Sequence, residues 1–296
     1  MGTEVNVEFY EPLADEKHAK AISDQVMDMM RHVDRTMSPW IESSDVAQAN
    51  QFGGSRPVAI NQETFGLIQR SFHYSDISNG AFDISFASIG YKYDYRKHLK
   101  PTEAEVKTAL PLINYKAIHL DEKDHTIRFE KPGMRIDLGG IGKGYAVDRG
   151  IEILKKNGIE HAWVNAGGDS YILGDRMRRP WVIGIKNPRG DGSAIKLPLS
   201  DVAISTSGDY ERFFEEDGKR YHHIINPKTG HSASGIISVS VLAPKSEIAD
   251  GMTKPVFIMG VKEGLALINA TPDVSAIIID ADGKVHYSDD LEPAAK

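Results

Sequence analysis

The sequence contains no cysteine, and this absence excludes several kinds of chemistry. A chain without thiols has no disulfide, no thiolate metal site and no cysteine nucleophile. The absence leaves the compartment open, because a cysteine-free chain is stable in reducing and in oxidising surroundings alike.

Three further features are missing. Lysine and arginine total 35 against 42 aspartates and glutamates, a net charge of -7 that argues against a nucleic-acid partner. No apolar run reaches the roughly 18 residues of a membrane span. The first residues, Met1–Asn6, lack the basic and apolar regions of a signal peptide, so no leader is predicted in this sequence.

What is present indicates a globular chain. The 296 residues are 41% hydrophobic, enough for a large core in one domain or two. Predicted strands and helices mix without a regular repeat, and no linker is evident. We therefore predict an α+β fold, with a largely antiparallel sheet core and flanking helices. It would span residues 1–296 as a single domain, or as two closely packed α+β subdomains, with 292–296 as a frayed tail.

Apolar spacing predicts the main elements. Helices are expected over Glu16–Met37 and Gln62–Ser78, where apolar side chains recur every three or four residues. A third helix should begin at Glu247 and be interrupted by Pro255. Alternating or buried apolar runs predict strands, the clearest at residues 5–10, 126–129, 161–165, 236–242 and 276–280.

The densest local pattern is Asp137–Asp148, where Lys143 lies among glycines at positions 139, 140, 142 and 144. Extended residues 134–136 precede it and an amphipathic run follows, so the unit is interpreted as strand, glycine bend and helix. Glycine allows close approach to the backbone, and a helix N-terminus favours phosphates. The pattern matches neither the P-loop nor the dinucleotide fingerprint. The alternative is a tight turn whose glycines serve packing only.

Polar clusters on other turns extend this interpretation. They supply backbone N–H groups, a lysine, a histidine and hard oxygen ligands, a set that suits magnesium and a diphosphate. Each cluster also has a purely structural explanation. The pair His222 and His223 can begin a strand that enters the core, and Asp250 can cap a helix.

Taken together, the segments resemble the ApbE family of FAD-dependent FMN transferases. The similarity runs from Val5 to about Tyr287, nearly the whole chain. The motifs that carry it, in the family's order, are Gly80–Asp83, Asp137–Asp148, Asn165–Asp169, Ser205–Asp209, His223–Gly230 and Ala249–Gly251.

The resemblance implies an enzyme and its reaction. Such enzymes need Mg²⁺, split the diphosphate of FAD, attach FMN to a threonine or serine hydroxyl of an acceptor protein and release AMP. Their acceptors tend to be membrane respiratory subunits. The resemblance also implies a periplasmic location, or anchorage on the outer side of the membrane. Hydrolysis of FAD to FMN and AMP, and FAD binding without catalysis, are the alternatives.

The resemblance also assigns residues. His223 would accept the proton of the target hydroxyl, a task suited to a neutral imidazole. The Ala146 carbonyl, the Asp250 carboxylate and the Thr253 hydroxyl would hold the metal. The residues expected to bind FAD are Trp40, Ala81, Phe82, Asp83, Lys143, Arg149 and Ile224.

The sequence departs from the family's pattern at two notable positions. Lys254 occupies the place of a threonine four residues after Asp250, and an ammonium group cannot ligate a cation. Either Thr253 takes over, or Lys254 contacts phosphate, or the metal site is weakened. Asn226 stands where the histidine motif usually has an aspartate, which removes one charge.

Overall fold

The computed structural model describes residues 2–10 and 15–291, so the expected tail at 292–296 lies outside the described residues. Its helices are α1 (Glu16–Met37), α2 (Asp45–Phe52), α3 (Gln62–Ile77), α4 (Ala87–Gly90), α5 (Glu103–Ala109), α6 (Gly142–Lys156) and α7 (Ser246–Asn269). Its first strands are β1 (Val5–Phe9), β2 (Val58–Ala59), β3 (Ile118–Asp121), β4 (Thr126–Phe129), β5 (Ala162–Ala166), β6 (Asp169–Leu173) and β7 (Trp181–Lys186). The remaining strands are β8 (Ser193–Leu199), β9 (Val202–Gly208), β10 (Phe213–Glu216), β11 (Lys219–His222), β12 (Ile236–Ala243), β13 (Ser275–Asp280) and β14 (Val285–Tyr287).

The main sheet joins seven of the described strands in the order β1-β5-β6-β9-β12-β13-β14. Every neighbouring pair in it is antiparallel. Helix α7 packs on β12 and β9, while α6 packs on β5, β6 and α7. The prediction of an α+β fold with a largely antiparallel core is therefore confirmed.

Helices α6 and α7 approach closely because of one glycine and one carboxylate. A Cβ on Gly144 would lie 2.2 Å from the Ser246 carbonyl oxygen, so only glycine fits there. The Asp148 carboxylate accepts hydrogen bonds from the backbone N–H groups of Ser246 (2.8 Å) and Glu247 (2.9 Å). Asp148 thus caps α7 from a neighbouring helix, since Lys245 supplies no side-chain cap.

The structure contradicts one expectation about the functional segments and one structural alternative. Residues 134–136 form no strand, because their backbone is bonded to side chains of α2 and α4; the Ile136 N–H, for example, donates to the Asn50 side chain (2.7 Å). Asp250 does not cap α7, because it lies one turn inside the helix that Asp148 caps.

Pro255 does not interrupt α7. The helix continues past it, and the non-helical residue is Gly260, with φ at +84°. Val256 and Phe257 directly after the proline are fully buried, and this packing outweighs the loss of one N–H donor. No helix in the described part of the chain has the length and apolarity needed to cross a membrane.

The second strand of the β7–β8 hairpin and both strands of the β10–β11 hairpin were not foreseen. Most side chains of β8 are exposed or half-exposed, and Pro198 lies within it. Strands with so little buried apolar surface carry a weak sequence signal.

Candidate active site

Two buried carboxylates and two lysines meet where α6, α7 and β6 come together. The Lys143 Nζ atom lies 2.7 Å from Asp169 Oδ2 and 3.5 Å from Asp250 Oδ2. The Lys254 Nζ atom pairs with Asp250 Oδ1 and also donates to the Asp250 carbonyl oxygen at 3.2 Å. We call these four residues the lysine–aspartate cluster. The formal charges of its two carboxylates and two ammonium groups cancel.

Asp250 is the firmly ionised member of the cluster. It is 0% exposed, and burial alone would raise the pKa of its carboxyl group. Lys143, Lys254 and the Gly144 N–H at 3.0 Å overcome that effect and hold the pKa of Asp250 at about 2. The carboxylate is therefore charged at every physiological pH.

The other three members respond differently to burial. Burial and the neighbouring Asp250 charge raise the pKa of Asp169. Burial alone would lower the pKa of Lys143, but the negative charges of Asp169 and Asp250 outweigh that effect and raise it. For Lys254 burial prevails over the attraction of Asp250, and its pKa is lowered. Lys143, which contacts both carboxylates, is thus the more strongly held cation.

Hydroxyl groups from β9 and α7 lie beside the two aspartates. The Thr253 hydroxyl donates to the Asp250 carbonyl oxygen (2.9 Å) and lies 2.9 Å from the Ser207 hydroxyl. The Ser205 hydroxyl donates to Asp169 Oδ1. Serines 205 and 207 share a face because alternate strand residues point the same way. This places hard oxygen donors beside Asp250.

The glycine bend connects this cluster to the loop that carries Phe82. A Cβ on Gly140 would lie 3.1 Å from Phe82 Cε2 and 3.9 Å from Lys254 Cδ. The bend, the aromatic ring and the lysine stem therefore adjoin, and glycine is what lets them approach. Ala81 and Phe82 are both buried.

Asp83 holds that loop in place. Its Oδ1 atom accepts hydrogen bonds from the Ser85 N–H (2.8 Å) and hydroxyl (2.6 Å), and its Oδ2 atom accepts one from the Tyr115 N–H (3.0 Å). Burial raises the pKa of Asp83 above its ordinary value. With both oxygens engaged in the protein, the carboxylate positions Phe82 rather than facing open space.

The two adjacent histidines have different surroundings. The His222 Nε2 atom lies 2.8 Å from the Ala233 carbonyl, and its Nδ1 atom accepts the Ile224 N–H at 3.3 Å. These contacts assign a neutral ring with the proton on Nε2. The ring also packs edge-on against Phe257, with centroids 5.6 Å apart. His222 is thus the core histidine of the pair.

His223 has a buried Nδ1 atom with no hydrogen-bond partner. Burial, followed by the nearby Arg212 charge, lowers the pKa of His223 to about 3. The charges of Lys254 and Lys143 lower this pKa further. His223 is therefore neutral at pH 7 and has an unused nitrogen lone pair or N–H.

The structure brings some of the predicted site residues together and places others apart. Lys143, Asp250 and Thr253 meet in or beside the cluster, and Ala146, 0% exposed, lies one turn along α6. Arg149 instead pairs with Glu152, and its Nε atom lies 3.5 Å from a Glu63 carboxylate oxygen. The Trp40 side chain, which follows α1, is 78% exposed, and Ile224 is buried. The FAD contacts of these residues stay predictions.

Sequence reasoning did not place Asp169 in the site, although its motif was recognised. The available signal was a carboxylate beginning β6, whose five residues are all buried. A buried carboxylate requires a charged or hydrogen-bonding partner. Its partner, Lys143, lies on a different element, so the pairing depends on the fold.

The donor set fits Mg²⁺ only in combination with phosphate oxygens. Among the described residues, no group of three or more histidine, cysteine or acidic side chains could hold a metal. Asp250 and the Thr253 hydroxyl offer hard oxygens, and Asp169 Oδ2 receives no well-aligned hydrogen bond. Mg²⁺ characteristically takes one or two carboxylates, waters and substrate phosphates, and this set matches that habit.

The sequence is similar to those of known enzymes that act on FAD. The FAD:protein FMN transferase of Treponema pallidum (strain Nichols) is 31% identical, with 97% of this chain and 84% of the relative covered. An enzyme of the same name from Klebsiella pneumoniae (strain 342) is 30% identical, with 94% and 86% covered.

Solved structures give the same result. The ApbE protein of Thermotoga maritima superposes with a TM-score of 0.88 and 33% identity, over 98% of this chain and 95% of that one. The flavin transferase ApbE of Vibrio cholerae superposes with a TM-score of 0.87 and 27% identity, over 98% and 94%.

These relatives bear out the prediction that the chain is an enzyme. The sequence matches the profile of the ApbE family over residues 1–278. On the fold, the relatives and this match, the chain belongs to the ApbE family.

Proposed function

We propose that this protein transfers FMN from FAD to a threonine or serine hydroxyl of an acceptor protein, in a magnesium-dependent reaction that releases AMP. The acceptor oxygen attacks the phosphorus of the FMN half of FAD. The bond from that phosphorus to the AMP oxygen breaks, AMP leaves with the electron pair, and the hydroxyl proton passes to a base.

The observation that carries the proposal is the buried cluster of two lysines and two aspartates beside the glycine bend, at the start of α6. His223 has a ring nitrogen without a partner, and burial together with nearby positive charge keeps its pKa low and its ring neutral. Transfer of a phosphoryl-type group depends mainly on positioning and on neutralising charge, and both are available here. The relatives named FAD:protein FMN transferase support the same reaction.

Each residue then has a role. His223 accepts the proton of the acceptor hydroxyl, a contribution worth roughly 10²–10⁴-fold in rate. Lys143 lies at the start of α6, where the helix N-terminus also favours the diphosphate. Asp250, Thr253 and the Ala146 carbonyl are the groups that would hold Mg²⁺, which when bound supplies neutralisation of the developing charge.

The acceptor belongs to the same proposal. We place it among membrane respiratory subunits, with the reaction on the outer side of the membrane or in the periplasm. The support is the family resemblance. Cell fractionation of the tagged native protein tests the location, and recovery of the protein with cytoplasmic markers would contradict it.

The reaction is tested with purified protein, FAD, Mg²⁺ and an acceptor domain carrying its hydroxyl residue. We expect the acceptor's intact mass to increase by one covalently bound FMN, with AMP in equal amount. An acceptor whose hydroxyl residue is replaced by alanine is the control and should stay unlabelled. FMN released free in solution would support the hydrolase alternative. FAD bound without AMP formation would support the non-catalytic alternative.

A further inference from the structure

The formal charges of the four residues in the lysine–aspartate cluster sum to zero. Asp169 and Asp250 are 1% and 0% exposed, and the Lys143 and Lys254 side chains are only 20% and 17% exposed. Buried charges are tolerated when they are paired, and here the pairing uses the protein's own cations. An added divalent cation would therefore bring two uncompensated positive charges into a nearly closed site.

The diphosphate of FAD changes that balance. Its two phosphate groups carry one negative charge each near neutral pH, so a divalent cation and a diphosphate together add no net charge. Either one alone leaves the buried site charged, at a cost that rises as water is excluded. Charge balance therefore favours joint entry of the cation and the diphosphate.

Lys254 is the residue that produces this condition. Its ammonium group occupies Asp250 Oδ1 and also donates to the Asp250 carbonyl oxygen, from the same side of α7. The stem passes the glycine bend, 3.9 Å from the position of a Cβ on Gly140. A cation that ligates Asp250 Oδ1 must displace this ammonium group, whose flexible stem then allows it to face a phosphate.

We propose that Lys254 is a resident counter-ion for Asp250 that makes divalent-cation binding depend on the diphosphate of FAD. The proposal rests on the proposed function for the identity of the ligand. Without the Lys254 charge the cluster would carry one net negative charge, and a divalent cation would bind before FAD. Lys254 thus acts through Asp250, and it determines whether the divalent cation binds before FAD or together with it.

The test measures binding of Mn²⁺, as a stand-in for Mg²⁺, by electron paramagnetic resonance on flavin-free full-length protein. For the unaltered protein we expect saturating FAD to lower the Kd for Mn²⁺ at least about tenfold, or about 1.4 kcal/mol. Lys254→Met removes the charge without adding a ligand, and should lower the Kd in the absence of FAD at least about tenfold. Lys254→Thr adds a hydroxyl and should bind Mn²⁺ tighter still.

Two further variants control the comparison. Lys262→Thr removes the same charge from an exposed position of α7 and should leave Mn²⁺ binding unchanged. Lys254→Gln replaces Lys254→Met if thermal unfolding shows that the methionine variant does not fold, and the same tenfold change is expected.

Two results would overturn the proposal. One is an equal Kd for Mn²⁺ with and without FAD in the unaltered protein. The other is a neutral residue at 254 that binds Mn²⁺ no tighter than lysine does. Acceptor labelling is measured separately, so the proposed function can fail while this coupling holds. FAD-dependent Mn²⁺ binding without labelling would leave the role of Lys254 intact and reject the transferase reaction.

Discussion

The lysine–aspartate cluster and the histidine pair 222–223 represent two ways of burying polar groups in one site. In the cluster every charge faces an opposite charge, and Asp250 alone contacts two lysines and a backbone N–H. In the histidine pair, His222 has partners on both ring nitrogens, whereas His223 has a buried nitrogen without one. The difference separates groups that hold charge in place from a group that is available to receive a proton.

The consequence is a division of labour. The paired charges are pre-organised for an incoming diphosphate, because Lys143 of α6 is held by carboxylates from both β6 and α7. An unpaired imidazole is costly to bury and is retained where it has a partner in the substrate complex. Substitutions in the two regions should therefore have different consequences.

Removing Asp250 should have the largest effect. Asp250→Ala leaves two buried lysines with one carboxylate, and we expect a loss of about 3–5 kcal/mol in the free energy of unfolding. Transfer should fall by at least about a hundredfold, because charge neutralisation at the diphosphate is lost. Urea unfolding and single-turnover acceptor labelling measure the two effects. Asp24→Ala, an exposed aspartate on α1, is the control, and unchanged magnesium-dependent labelling by Asp250→Ala would contradict the assigned role.

Replacing each of the two histidines by alanine, one at a time, tests the comparison directly. His223→Ala should lower transfer roughly 10²–10⁴-fold while the protein stays folded and binds FAD. His222→Ala should instead lower the free energy of unfolding by about 1–3 kcal/mol, because the Ile224 N–H and the Ala233 carbonyl lose their partner. Labelling rate per folded molecule, with folding followed by circular dichroism, distinguishes them. The opposite result, an inactive His222→Ala and a destabilised His223→Ala, would reverse the assignment.

Gly144→Ala tests whether the close contact of α6 and α7 builds the cluster. The added methyl group would lie 2.2 Å from the Ser246 carbonyl oxygen, so the helices must separate. We expect a loss of about 1–3 kcal/mol in the free energy of unfolding, together with weaker FAD binding. Gly66→Ala on α3 is the matched control, because its methyl group meets only the movable end of Arg70 at 3.2 Å. Equal stability of the two variants would show that the contact is not required.

The pH dependence of stability should show the smallest effect. The pKa of His223 is about 3 in the folded protein and about 6.5 when unfolded, so the unfolded state binds more protons between these values. The stabilisation from a neutral His223 is complete above pH 6.5 and is lost as the pH falls toward 3. Unfolding free energies at pH 7.5 and 5 should therefore differ more for the native protein than for His223→Gln. An equal pH dependence would show that His223 titrates normally in the folded state.

Much of the fold was predictable because it depends on local spacing. The bounds of α1 agree with the predicted Glu16–Met37, and α3 ends one residue before its predicted end. The wrong predictions concern segments whose conformation depends on tertiary contacts rather than on local sequence preferences. Pro255 remains inside α7 because that turn is buried, and residues 134–136 are extended without a partner strand.

The candidate site divides in the same way. Lys143, Asp250 and Thr253 were identified from motifs, and the structure places them in contact with or beside one another. Asp169 was missed because a carboxylate at the start of a strand has many uses, and only its distance to Lys143 selects one. The two histidines are adjacent in the sequence, and the structure distinguishes them. His222 packs against Phe257 and has partners on both ring nitrogens, whereas Nδ1 of His223 has none.

By itself the sequence determined the main helices and strands, the glycine-rich and polar turns, and membership in a family that carries those turns in one order. These features follow from local periodicity, backbone preferences and motif identity. Only the tertiary structure decided that Lys143 joins Asp169 to Asp250, that Lys254 completes a neutral cluster, and that His223 has a free nitrogen. Those outcomes depend on distances between elements far apart in the chain, since the charge and hydrogen bonding of a buried group are set by whichever atoms the fold places beside it.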